Sequence, residues 1–460
     1  MLVFGLLAHY MYIKCSVDCI YGIYYDKAMN RTFTKELYKW KEAKDRKPLL
    51  LKGVRQSGKT YLLKEFGKKA YDDCAYFNFE GNEPLQKCFG RDLDPQRIVS
   101  ELGVFHRRAI KPGKTLIIFD EIQFCNRALT ALKYFYEDAP QYHIVCAGSL
   151  LGIALSKPLS FPVGKVDMRT LRPLGFYEFM LANREEELAG FLAGLPADKG
   201  VPEIFKVRLE ELLRNYFVSG GMPEAAAKWI ETNDVAEVEA VQRRILDSYE
   251  LDFAKHAPTM DVPKLNLIWK SIPNQLARES GKFVFGHAKP GARAKDLEDA
   301  LEWLISAGMV YKVVKIEKPF MPLSAYADPS YFKLYVPDVG LMRKMAGLPA
   351  EAVFQGPETY REFKGALTEN FALTELLNAE LDLPFYWRSS NTAEVDFVAQ
   401  FNGRIVPVEV KAGRNRARSL AEYRKKYAPG ISIKTSLEDL GGKEVKSIPL
   451  YMLWRLKAYL

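Results

Sequence analysis

Two groups of residues in this sequence have the types and spacing that chemistry requires. The first is Gly53-Val54-Arg55-Gln56-Ser57-Gly58-Lys59-Thr60, a full match to GxxxxGK[ST]. Glycines at both ends let the backbone curl so that successive N–H groups point inward at a phosphate. A helix beginning at Lys59 adds its positive N-terminal end to the same anion. In that arrangement all eight residues bind ATP, Lys59 reaches the β- and γ-phosphates, and the Thr60 hydroxyl ligates Mg2+. Leu116-Ile117-Ile118-Phe119-Asp120-Glu121 is an apolar run ending in two carboxylates. Unpaired acids at a core edge are costly, so something cationic is expected beside them. Asp120 is expected to hold the Mg2+ shell and Glu121 to polarise the attacking water. Ser149, at the end of a later apolar run, is a candidate γ-phosphate sensor or an ordinary turn serine. Lys165, Arg169 and Arg172 are candidates for a cation supplied in trans, which leaves room for an oligomer.

The second group is Glu369, Asp396, Glu409 and Lys411. Glu394 to Val398 and Ile405 to Lys411 read as strands around Asn402-Gly403, a strong hairpin turn signal. Asp396 precedes Glu409 by 13 residues, and Glu409-Val410-Lys411 places acid and lysine on one strand face. With Glu369 on an upstream helix, such carboxylates could hold Mg2+ beside a phosphodiester while the lysine orients water. Ordinary charge alternation on an amphipathic hairpin is the competing reading. Pro407 within the second strand argues for an edge or bulged position. Arg404, Lys411, Arg414, Arg416, Arg418, Arg424, Lys425 and Lys426 stand against Glu409 and Glu422, so this stretch carries 8 − 2 = +6. That is the electrostatic footprint expected for DNA backbone, or else a solvated helix face.

The elements that must position these residues are also legible. Pro48 to Leu51, Ala75 to Phe79, Thr115 to Phe119 and His143 to Ala147 are apolar runs of strand length. Helical stretches between them, Ala128 to Tyr136 the clearest, predict an α/β fold: a parallel sheet with helices on both faces. Phe33, Leu37, Tyr38 and Trp40 predict a short amphipathic helix ahead of it. Residues 201–280 show helical periodicity, punctuated by Gly220-Gly221-Met222-Pro223. A helix from Arg293 to Ala307 leads into a strand, Val310 to Val314, which is compatible with a winged helix. A further helix, Phe363 to Leu381, precedes the hairpin. The expected division is an extension over 1–28, a P-loop domain over 29–200, a helical region compatible with a winged helix over 201–345, and a small nuclease-like α/β domain over 346–460.

Composition narrows the classes. The 460 residues are 48% apolar and 27% charged, which excludes a mainly disordered, collagen-like or membrane-spanning chain. Basic residues exceed acidic ones by 66 − 57 = 9, permitting a nucleic-acid partner without requiring one. The cysteines, at 15, 19, 74, 88, 125 and 146, form no CxxC pair, which argues against zinc and for free thiols in a cytoplasmic setting. Lys14, Asp18, Asp26 and Lys27 interrupt the apolar first 28 residues, so these do not supply the roughly 20 apolar residues of a span. Met29 is the expected physiological start, an ordered N-terminal element being the alternative.

The segments GVRQSGKT, LIIFDEIQ, AGSLLG and FPVGKV…LRPLGFYEF resemble prokaryotic AAA-superfamily ATPases that join an AAA-type domain to a C-terminal domain of unknown function. The resemblance runs from MNR…LYKWK at Met29 nearly to the end, through Gly220-Gly221-Met222-Pro223-Glu224 and the D-x-G-L turn at Asp338 to Leu341. It implies ATP binding and hydrolysis with Mg2+. Gly164-Lys165 stands where many relatives have Gly-Arg. The acid-bearing helix and D…ExK hairpin are similar to the restriction-endonuclease-like core. The combined expectation is an ATPase coupled to nucleic-acid binding. The alternatives are a nucleotide-gated DNA-binding or interaction module with little turnover, and an ATPase-controlled metal-dependent nuclease.

Overall fold

Apolar runs too short for helices satisfy their backbone groups by pairing with one another. A computed structural model describes residues 29–149, 152, 162, 164–278, 281–356, 359–389, 393–412, 418–438, 440–442 and 444–460. The 1–28 extension, Leu150 and Leu151 of AGSLLG, Phe161 and Val163, and Arg414 and Arg416 lie outside the described residues. The four runs become β1 (Leu49–Lys52), β2 (Asp73–Asn78), β3 (Thr115–Asp120) and β4 (His143–Gly148), joined by β5 (Asp167–Thr170). All are parallel, in the order β2-β3-β4-β1-β5. Successive strand residues feed different cores: Ile117 packs with Leu50, Phe119 and Leu132, whereas Ile118 packs with Leu51, Leu63 and Phe66. Burial on both faces is why these strands read as unbroken apolar runs. The amphipathic helix forms as Thr34–Glu42 and buries Leu37 and Trp40.

The helical region follows with Glu203–Ser219, Pro223–Thr232, Val235–His256 and Val262–Leu276. The helix Ala294–Ser306 then leads into a hairpin of β6 (Tyr311–Ile316) and β7 (Ala327–Tyr335). This hairpin is not a free-standing wing. β6 pairs in parallel with β8 (Phe385–Arg388), through Lys315 opposite Tyr386 and Ile316 opposite Trp387. With β9 (Glu394–Phe401), β10 (Arg404–Val410), β11 (Ser432–Ser436) and β12 (Val445–Pro449) it makes a seven-stranded sheet, ordered β12-β11-β10-β9-β8-β6-β7. That sheet crosses the boundary expected at 345/346. Val313 and Ile316 of β6 are fully buried, so an isolated wing would have exposed them. One hydrophobic core runs from Phe176 through these helices to Leu456, and it includes Val54 of the phosphate loop.

Asn402 and Gly403 turn the β9–β10 hairpin with φ of 46° and 73°, the left-handed pair that this dipeptide favours. Pro407 opposes Val398 of β9, while pairing of β10 with β11 begins only at Val408. The missing N–H therefore falls where β10 has a neighbour on one side only.

Candidate nucleotide site and C-terminal acid cluster

The carboxyl ends of β1, β3 and β4 carry Gly53, Asp120 with Glu121, and Ser149 along one rim, where parallel α/β sheets bind ligands. Gly58 caps the Lys59–Ala70 helix with φ 89°, a conformation that costs glycine little. A Cβ on Gly53 would lie 2.2 Å from the Leu171 carbonyl oxygen, so only glycine fits. Lys59 donates to the carbonyl oxygens of Gly53 (2.8 Å) and Val54 (3.0 Å). Burial pulls its pKa down to about 8, against the opposing pull of Glu121 and Asp120. Asp120 Oδ2 accepts from the Thr60 hydroxyl (2.9 Å) and the Tyr76 hydroxyl (2.7 Å). Glu121 Oε2 accepts from the Gln123 amide and, at 3.4 Å, from Ser149 Oγ. The structure thus places Lys59, Thr60, Asp120, Glu121 and Ser149 together. Among the described residues the buried Ser57 hydroxyl has no hydrogen-bond partner. A glycine cradle, a lysine, an unpaired hydroxyl and a Thr–Asp pair are a donor set that fits ATP with Mg2+.

The three basic candidates for action in trans separate. Lys165 pairs with Glu137 at 2.9 Å, and Arg172 lies beside half-buried Tyr311. Arg169, on β5, is exposed.

Residues without a sequence-assigned role hold the loop from behind. Arg31 donates to the Ser57 carbonyl (3.0 Å) and the Arg172 carbonyl (2.6 Å), and its Nε is 3.2 Å from Glu178 Oε2. Both members of this ion pair are buried. The signal was present in MNR and FYEF, but nothing local joins residues so far apart. The loop's tip is held by the Val235–His256 helix. Asp252 pairs with Arg55, Ser248 accepts from Gln56 (3.2 Å), and the Tyr249 hydroxyl donates to the Arg55 carbonyl (3.1 Å).

The glycine-proline and D-x-G-L segments meet each other. Asp338 accepts from the Gly221 N–H (2.6 Å) and Leu341 N–H (2.8 Å), and a Cβ on Gly220 would lie 2.2 Å from its carboxylate. Burial pushes Asp338 up to about 6, although those N–H groups favour the anion. Nearby, Glu375 of the Arg361–Asn378 helix accepts from the Phe176 N–H (3.0 Å), and burial pushes it up to about 7.

In the C-terminal sheet the expected acids take other partners. Glu369 Oε2 faces Lys333 Nζ (3.2 Å) and the Tyr335 hydroxyl (3.1 Å). Glu394 lies 2.5 Å from the same ammonium. Asp396 accepts from the Val410 N–H (2.7 Å), and burial, reinforced by Glu369, pushes its carboxyl well above the usual range. Glu409 accepts from the Leu420 N–H (3.0 Å) and lies 2.8 Å from Lys411 Nζ. Among the described residues no three acids, histidines or cysteines gather as a metal site. Glu369 and Glu394 as they stand do not fit a divalent ion, because the Lys333 ammonium already lies between them. Lys333 and Glu394 were missed by the sequence reading; Lys333 reaches the cluster from β7, outside the stretch where the D…ExK spacing lies.

The basic stretch is partly engaged. Arg404 donates to the Leu460 carbonyl, Arg424 pairs with Glu444, and Lys426 lies 5.1 Å from the Tyr427 ring. Arg418, Lys425 and Lys426 are exposed. Among the described residues no helix is long and apolar enough to cross a membrane.

Residues 45–180 match the family described as an AAA domain, and residues 210–352 and 364–453 match two domains of unknown function, DUF8612 and DUF4143. No curated protein matches the chain. Similar solved structures include a Walker-type ATPase of Pyrococcus abyssi: 15% identical, covering 70% of this chain and 97% of that one, TM-score 0.44. Others are the ORC1 protein of Aeropyrum pernix in complex with DNA (14%, 72% and 94%, 0.28) and AMPPCP-bound DnaA of Aquifex aeolicus (14%, 59% and 85%, 0.25). The five-stranded parallel sheet, the phosphate loop and the family match over residues 45–180 give that part of the chain the fold of a P-loop domain of the AAA type.

Proposed function

We propose that this chain binds and hydrolyses ATP with Mg2+ and couples that cycle to nucleic-acid binding through its C-terminal region. The observation that carries the first half is the Thr60 hydroxyl 2.9 Å from Asp120, beside Lys59 and Glu121 on the rim of the sheet. Thr60 and Asp120 would hold Mg2+, which when bound screens the phosphate charge. Lys59 would neutralise the β- and γ-phosphates, and Glu121 would orient and polarise the attacking water. Ser149, within reach of Glu121, would read whether the γ-phosphate is present.

The second half draws on the exposed Arg418, Lys425 and Lys426 and on the local excess of positive charge. An ATPase-controlled nuclease is a second reading. The helix, hairpin and D…ExK spacing favour it, and Lys333 between Glu369 and Glu394 counts against it. Steady-state ATP hydrolysis with and without duplex DNA tests the proposal. Turnover stimulated by DNA is expected. Nucleotide binding without turnover would leave a nucleotide-gated module in its place.

A further inference from the structure

The acids that a nuclease-like domain would offer to a metal are already supplied with positive charge. Lys333 Nζ lies between Glu369 Oε2 at 3.2 Å and Glu394 Oε1 at 2.5 Å, and its side chain is 2% exposed. The stem is confined: a Cβ on Gly281 would sit 3.1 Å from Lys333 Cε. A divalent ion needs carboxylate oxygens at about 2.0–2.6 Å around one point, and an ammonium nitrogen occupies the point these oxygens face. That ammonium is monovalent, covalently fixed and without an open position for water. It neutralises the acids but cannot lower the pKa of a water as a bound metal does.

We propose that Lys333 is a built-in cation standing in for a divalent metal, so that the C-terminal domain engages a nucleic-acid backbone without cleaving it. This rests on the nuclease-like reading of that domain. It has a consequence which a merely structural lysine would not have: removing the charge should leave Glu369 and Glu394, the two carboxylates that face it, open to a diffusible cation.

Thermal unfolding of the full chain, without nucleotide and with or without millimolar Mn2+, tests this. The wild type should show no stabilisation. Lys333→Met should be destabilised without metal and should gain a Mn2+-dependent rise in Tm, because an ion that binds only the folded state stabilises it by mass action. Adding Glu369→Gln to that variant should abolish the gain. Lys333→Gln, which keeps a hydrogen-bond donor to Glu369, provides the same measurement if the methionine variant does not fold. A wild type that is itself stabilised by Mn2+, and loses this in Asp396→Asn, would overturn the proposal. So would a folded, metal-indifferent Lys333 variant. DNA binding by the wild type, measured separately, judges the broader functional reading on its own.

Discussion

At the rim of the five-stranded sheet Asp120 is flanked by two hydroxyls, Thr60 and Tyr76, whereas in the seven-stranded sheet Glu369, Glu394 and Glu409 face ammonium groups. Hydroxyls orient a carboxylate but leave its charge for a diffusible cation to meet. Ammonium groups meet that demand permanently. Both regions set acids on or beside apolar strands, and the acid spacing alone ranks both as metal sites. What separates them is the partner, and at the C-terminal cluster one partner comes from a strand more than thirty residues before the nearest of the acids. A short motif therefore predicts chemistry best when its counter-charge lies inside the same motif.

The contrast is broken most severely at Lys59. Lys59→Ala should remove ATP turnover to background while nucleotide-free DNA binding persists, read by phosphate release and by fluorescence anisotropy. Loss of both would mean that the two regions share one site. Arg31→Met comes next, since it strands the buried Glu178 carboxylate beneath the loop. Breaking a buried pair in this way costs about 3–5 kcal/mol, to be measured by urea unfolding. A cost below about 1 kcal/mol, the range of an exposed pair, would place that pair in solvent.

Glu121→Gln should keep nucleotide binding and slow turnover by about 10²-fold, the expected value of a positioned general base. Wild-type turnover in that variant would remove Glu121 from the mechanism. The seam between the two regions gives a smaller effect. Glu375 is raised from 4.5 to about 7, so the folded state holds its proton more tightly than the unfolded chain does. Its favourable contribution is fully present below about pH 4.5 and is lost as pH rises through about 7. Glu375→Gln should flatten that decline and raise stability at pH 8 by on the order of 2 kcal/mol. A parallel pH profile in the variant would show the carboxyl to be ionised throughout. The smallest change should come from Arg418→Glu with Lys425→Glu, which should flatten the log–log salt dependence of DNA binding by roughly 0.9 per lost phosphate contact. An unchanged slope would put both side chains outside the interface.

Much of the candidate nucleotide site was legible as a cluster because its parts are local. The phosphate loop lies within eight residues, and β1, β3 and β4 announce themselves as apolar runs buried on both faces. β5 was missed because Asp-Met-Arg-Thr is polar and only half-buried at a sheet edge. Arg31, Glu178 and Lys333 were invisible in their roles, since each acts across a separation that no periodicity encodes. β6 was seen as a strand, but its pairing with β8 rests on two residue pairs some seventy positions apart. The expected boundary fell inside that sheet for this reason.

The grip of the Val235–His256 helix on Arg55 and Gln56, together with Val54 buried in the core that reaches Leu456, bears on how such a chain can be inherited. A fragment ending near residue 200 would retain every nucleotide motif and lose the wall that shapes the loop. Exchanging residues 201–460 between relatives should retune ATP affinity even with all eight loop residues kept. The chain is thus free to recombine as a whole, and poorly suited to recombine in parts.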